Sequence, residues 1–171
     1  MTTALAFTVA LGRATATEAP TDGIAQLRYA APSQDALIRR ALRALGEKDA
    51  RTLRLLRVTE SEYRNIILPS TVPPGSPPRH YRDDVSDFFW RLLDTKSAMY
   101  EQYLLNTVGG RGLSRVKDRQ YAKGKTQYAG YTAYKQVRLV VEDGSGQQEE
   151  MATGSIVEIG GRFKFMSFIR D

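Results

Sequence analysis

The chain has no cysteine and a single histidine among its 171 residues. Without thiols there is no disulfide, no thiolate nucleophile and no cysteine-ligated zinc. His80 alone is too few ligands for a transition-metal site, so no metal and no cofactor is expected. No run approaches the ~18 apolar residues that a membrane-spanning helix requires. There is no Gly-rich phosphate loop, helix-turn-helix or RNA-binding signature. Acidic residues are the scarcer charge: 19 Asp and Glu against 25 Lys and Arg leave a net +6. That balance suits acidic partners or surfaces without establishing one. The length is that of one domain, able to bury a core without covalent staples.

What is present is concentrated in residues 113–169, which hold four runs rich in β-branched and aromatic residues. Asp143-Gly144-Ser145-Gly146 separates VRLVVE (137–142) from the run over 147–159. Gly160-Gly161 separates that run from RFKFMSFI (162–169). Such turns supply the positive φ angles of tight hairpins, so the last three runs predict an antiparallel meander. A first strand over 113–125 joins it through Tyr128-Ala129-Gly130. Period-two alternation places Tyr131, Ala133, Val137, Leu139 and Val141 on one face, interrupted by Lys135. In the last run Phe163, Phe165 and Ile169 share one face, and Met166 and Phe168 the other. In the first, Arg115, Lys117, Arg119, Lys123 and Lys125 share a parity with Tyr121. This is a cationic stripe suited to anion binding, provided that no bulge at Gly124 shifts the register. The plainer alternative is a solvated face that discourages edge pairing.

Toward the N-terminus, ALAFTVAL (4–11) followed by Ala14-Thr15-Ala16 looks like a signal peptide with small residues at −3 and −1. No Lys or Arg precedes the run. Export would place the protein in a bacterial periplasm or cell envelope; otherwise it is cytoplasmic. Residues 1–32 are read as signal and linker, and 33–171 as one domain. Ser33 caps a helix over 34–45 that Gly46 ends. Asp49 caps a second. Thr59 and Glu62 form a capping box for a third, stopped by Pro69. PSTVPPGSPP (69–78) is a stiff connector. The longest helix spans 83–107, with Val85, Phe88, Phe89, Leu92, Met99, Tyr103 and Leu104 at mostly three-to-four spacing. The fold class is α+β: helices, then a curved four-stranded antiparallel meander wrapped on the long helix.

The run ALIRRALRALGEKDARTLRLL (36–56) resembles the first helix pair of the nuclear transport factor two-like (cystatin-like α+β) superfamily. The closing GGRFKFMSFI (160–169) is similar to its last strands. The resemblance spans residues 33–169 and implies a cone, a sheet around a helix with an apolar pocket at the open end. In such a cone Phe88, Leu92, Tyr100, Tyr103 and Tyr131 would line the pocket. Members use it for isomerisation, dehydration or ligand binding, and many have no known activity. The candidate catalytic residues are His80, a general base beside Asp84, and Asp87 and Asp94 on the long helix. Family enzymes place a carboxylate in an apolar pocket, the role open to Asp94. The competing reading pairs Asp87 and Asp94 with Arg91 and leaves His80 in an exposed loop.

The expected function is a non-catalytic binding or protein-interaction domain. One alternative is a small hydro-lyase or isomerase using a pocket Asp or His80. Another is a polyanion-binding module using the basic sheet face. Expected partners are a small molecule or protein, or an anionic surface or polymer. A homodimer through the sheet is also open.

Overall fold

Helix starts follow the capping side chains in the computed structural model, which describes residues 27–113 and 115–169. Helix α1 (Gln34–Gly46) begins at Ser33, whose Oγ accepts the Ala36 N–H at 3.1 Å. Helix α2 (Ala50–Leu55) begins at Asp49, which accepts the Thr52 N–H at 3.0 Å. Thr59 and Glu62 complete the reciprocal box of α3 (Glu60–Glu62), which continues as a π turn over Tyr63–Ile67. Helix α4 (Asp83–Thr107) runs 25 residues. Asp83 and Asp84 in its first turn meet the positive end of its dipole.

Five antiparallel strands follow: β1 (Arg115–Tyr121), β2 (Lys125–Gln127), β3 (Thr132–Glu142), β4 (Gln148–Ile159) and β5 (Arg162–Ser167). Their order is β1-β3-β4-β5, with β2 paired to the first residues of β3. The sheet has five strands rather than four because Gly124, at φ 71, turns the chain and splits the expected first strand. The outer edge of β5 is covered. Ala31 and Phe163 exchange both backbone bonds at 2.9 Å, and Val58 N–H donates to the Phe165 carbonyl at 2.8 Å. Part of the expected linker therefore caps the sheet edge. The expected signal run lies outside the described residues.

A line of irregularities crosses the sheet and explains its two cores. The β3–β4 register shifts between Tyr134 and Val137, where Gln136 has φ 50. Opposite, Gly154 in β4 has φ 75. The β4–β5 register shifts at Ser155/Ile156. Each extra residue inverts the in-out alternation. The single apolar face expected for β3 is therefore divided. Tyr131 and Ala133 pack with Ile67, Val157 and Ile159. Val137, Leu139 and Val141 pack with α1, α2, Met151 and Phe165. Likewise Phe165 and Phe168, expected on opposite faces, share one cluster with ring centroids 4.7 Å apart. Gly154 admits no side chain: a Cβ there would lie 2.1 Å from the Ser167 carbonyl oxygen.

The other face of β5 carries a buried ion pair. Lys164 has no exposed surface, and its Nζ donates to Glu62 at 2.8 Å. Glu62 also accepts the N–H groups of Thr59 at 2.7 Å and Arg28 at 2.6 Å. Burial lowers the Lys164 pKa, against the pull of Glu62.

The long helix is turned otherwise than expected. Phe88 is 62% exposed, Leu92 45% and Met99 70%. Its inward positions are Ser86, Ser97, Glu101, Leu104 and Leu105. Ser97 Oγ accepts the Phe168 N–H at 3.1 Å, a donor just beyond the end of β5. Glu101 faces Arg57 at 3.6 Å and Arg54 at 3.5 Å; Arg57 also bonds Asp94 at 2.8 Å. Burial raises the Glu101 pKa, opposed by Arg57 and Arg54. The helix turns these polar groups inward, where Ser97 meets the Phe168 N–H, while Arg57 Nε and Glu101 Oε2 keep no hydrogen bond among the described residues. Only its C-terminal end, Leu104, Leu105 and Val108, joins the main core with the expected Leu139.

Candidate functional site: a cleft between the long helix and the bent sheet

The N-terminal half of α4 stands off the sheet at its line of bulges, leaving an open cleft of about 930 Å³. Ile67, Tyr131 and Ala133 form a buried apolar floor. Val85, Phe89 and Leu93 contribute one wall and Met166 the other. Arg79, His80, Tyr81 and Arg82, from the segment before α4, lie at the rim, as do Lys123 and Lys135 from the bend. Among the described residues no Asp or Glu lines it. A smaller cavity of about 290 Å³ lies by the C-terminal half of α4, lined by Tyr100, Tyr103, Arg138, Glu149 and Glu150 among others.

The Pro-rich loop is tied down where it borders the cleft. Arg79 N–H donates to the Pro69 carbonyl at 2.8 Å, and Ala129 N–H to that of Val72 at 3.0 Å. Thr71 Oγ1 donates to the Ile67 carbonyl at 2.8 Å. The contact of 2.8 Å between Thr71 Oγ1 and Tyr131 Oη then leaves the phenol as donor. Burial pushes the Tyr131 phenol up to about 12, so it remains a neutral donor at physiological pH.

The rim cations are not equivalent. Arg82 is held by Asp84 through bonds of 3.1 and 2.7 Å. Arg79 lies over the Tyr81 ring, 5.4 Å from its centroid, and Lys135 over the Tyr128 ring at 5.5 Å. Neither Arg79 nor Lys135 forms an ion pair among the described residues. An aromatic face attracts such a charge without neutralising it.

The catalytic candidates are dispersed. Asp84 pairs with Arg82, Asp87 with Arg64 at 2.6 Å, and Asp94 with Arg57 at 2.8 Å. Arg91 is partner to neither Asp87 nor Asp94 in these pairs. His80 is exposed at the cleft mouth. Of the residues expected to line one pocket, Tyr131 lines this cleft, and Tyr100 and Tyr103 line the smaller cavity, stacked at 5.4 Å. Phe88 and Leu92 are turned to solvent.

The basic stripe is not one continuous face. A bulge between Val116 and Asp118 shifts the register earlier than the Gly124 position considered above. Arg115 and Lys117 reach Glu142 at 3.6 and 3.2 Å. Arg119 instead turns to Asp35 and Gln34 on α1. Its guanidinium holds the Asp35 carboxyl below the usual carboxylate range. Lys125 lies 5.2 Å from the Tyr134 ring centroid, and Lys123 reaches the cleft rim.

Sequence reading missed Arg79, Lys135, Phe89 and Met166 as cleft residues. The one available signal was Lys135, a charge interrupting an apolar alternation. Among the described residues no group of three or more His, Cys, Asp or Glu could hold a metal ion. No helix among them is long and apolar enough to cross a membrane. No protein-family model, curated protein or solved structure matches the chain.

Proposed function

We propose that the chain is a non-catalytic binding domain whose ligand occupies the cleft between α4 and the bent sheet. The observation that carries this is the cleft's lining: an apolar floor, a cationic rim and, among the described residues, no carboxylate. General acid–base chemistry needs a side chain of suitable pKa within hydrogen-bond reach of the proton it transfers. Here the aspartates that would partner His80 are each held by an arginine and line other surfaces. Helices followed by a sharply bent antiparallel sheet also support the nuclear transport factor two-like reading, with the cleft as the open end of the cone. Fold alone does not assign the ligand.

Native mass spectrometry of the purified chain, with thermal-shift measurements against small amphiphiles, tests the reading. A bound small molecule or a ligand-dependent rise in Tm is expected in the wild type. It should be weakened in Val85→Trp, whose indole intrudes on the apolar wall. A reaction that is catalysed by the wild type and lost in His80→Ala, with ligand binding retained, would restore the hydro-lyase or isomerase alternative.

A further inference from the structure

We infer that the cleft takes a single-chain amphiphile with an anionic head, its chain along the apolar trough and its head at Arg79 and Lys135. This rests on the cleft being the binding site. The volume of about 930 Å³ lies within the roughly 300–1,000 Å³ of small-molecule sites. Ile67, Leu68, Val85, Phe89, Leu93 and Met166 offer a chain an apolar surface along both walls and the floor.

Charge selects the head. Among the described residues no carboxylate lines the cleft where Arg79 and Lys135 stand. Arg82 is neutralised from outside the cleft by Asp84. Arg79 and Lys135 rest on tyrosine rings, with no ion-pair partner among the described residues. Low-dielectric walls strengthen the field of such cations inside a cleft. A cationic head would be repelled, and a neutral one would leave both charges unanswered. A carboxylate or a phosphate answers them with charge-assisted hydrogen bonds.

The test is titration of the full chain with laurate, lauryl phosphate, dodecanol and dodecyltrimethylammonium, each below its micelle or solubility limit. Trp90, the only tryptophan, is a convenient reporter, 5.8 Å from the Tyr63 ring that lines the cleft. The anionic amphiphiles are expected to bind at least tenfold tighter than dodecanol, and the cationic one not at all. Arg79→Gln with Lys135→Gln should abolish most of that tenfold preference while dodecanol binding persists. The ratio of laurate to lauryl phosphate separates a free fatty acid from a phospholipid-derived ligand. Dodecanol binding as tightly as laurate, or an unchanged preference in the double variant, overturns the anionic head but leaves the cleft as a binding site. If none of the four binds the folded protein, the cleft reading falls with it.

Discussion

The buried pair of Glu62 and Lys164 permits a sharp test of the packing. In Glu62→Gln the Lys164 ammonium stays sealed from water on β5 but loses its countercharge. Breaking a buried pair from one side costs about 3–5 kcal/mol. That is a large share of the roughly 5–15 kcal/mol that holds a domain folded. Lys164→Met should cost less, about 1–2 kcal/mol, because Glu62 keeps the N–H groups of Thr59 and Arg28. The double variant should recover part of the Glu62→Gln loss, a coupling on the order of 2 kcal/mol. The pH dependence has a defined sign. The folded-state pKa of Lys164 is already lowered from 10.5 by burial, and removing Glu62 lowers it further. Between that value and 10.5 the unfolded chain binds more protons than the folded one, so stability rises with pH. The Glu62→Gln deficit should therefore shrink as pH climbs from 7 toward 10. Urea denaturation followed by Trp90 fluorescence and circular dichroism measures each value. A Glu62→Gln loss below about 1 kcal/mol at pH 7, or a deficit that grows with pH, would refute the reasoning.

Three further outcomes are expected. Gly154→Ala combines a positive φ with a Cβ 2.1 Å from the Ser167 oxygen, so it should cost at least about 2 kcal/mol and lower Tm measurably in calorimetry. Phe88→Ala and Met99→Ala should each stay within about 0.5 kcal/mol of wild type by chemical denaturation, whereas Phe165→Ala should lose about 3–5 kcal/mol. The Tyr131 phenol, raised by burial from 10.0 to about 12, contributes stability that is present below pH 10 and lost as pH rises through 12. Tyr131→Phe should flatten that alkaline decline in equilibrium denaturation.

Local chemistry made much of this architecture legible. Ser33, Asp49 and the Thr59–Glu62 box marked three helix starts because a cap is satisfied within three residues of itself. Gly pairs and Asp-Gly marked the hairpins because backbone conformation at a turn is a local property. What escaped depends on distant partners. The orientation of α4 follows from Phe168 N–H and the buried Arg57, which meet the helix only in three dimensions. An apolar stripe on its own could not reveal that Ser97 and Glu101 held the inward positions. Lys135 showed as an interruption of β3, but alternation read straight through it kept Tyr131 with Leu139. One added residue was enough to send them into different cores. The cleft was hidden for the same reason, since its rim joins side chains from positions 79 and 135.

That added residue also makes the chain's tolerance of length changes uneven. Shortening the Gly-rich hairpin at 143–146 alters only a solvent-exposed tip. Deleting Gln136 would remove the bulge and straighten β3 while Val137, Leu139 and Val141 keep their face, whereas deleting Leu139 would turn Val140 inward and Val141 into water. Natural variants of this protein should therefore gain and lose residues freely at the hairpin tip. Within the regular part of β3 beyond the kink they should change length only in steps of two.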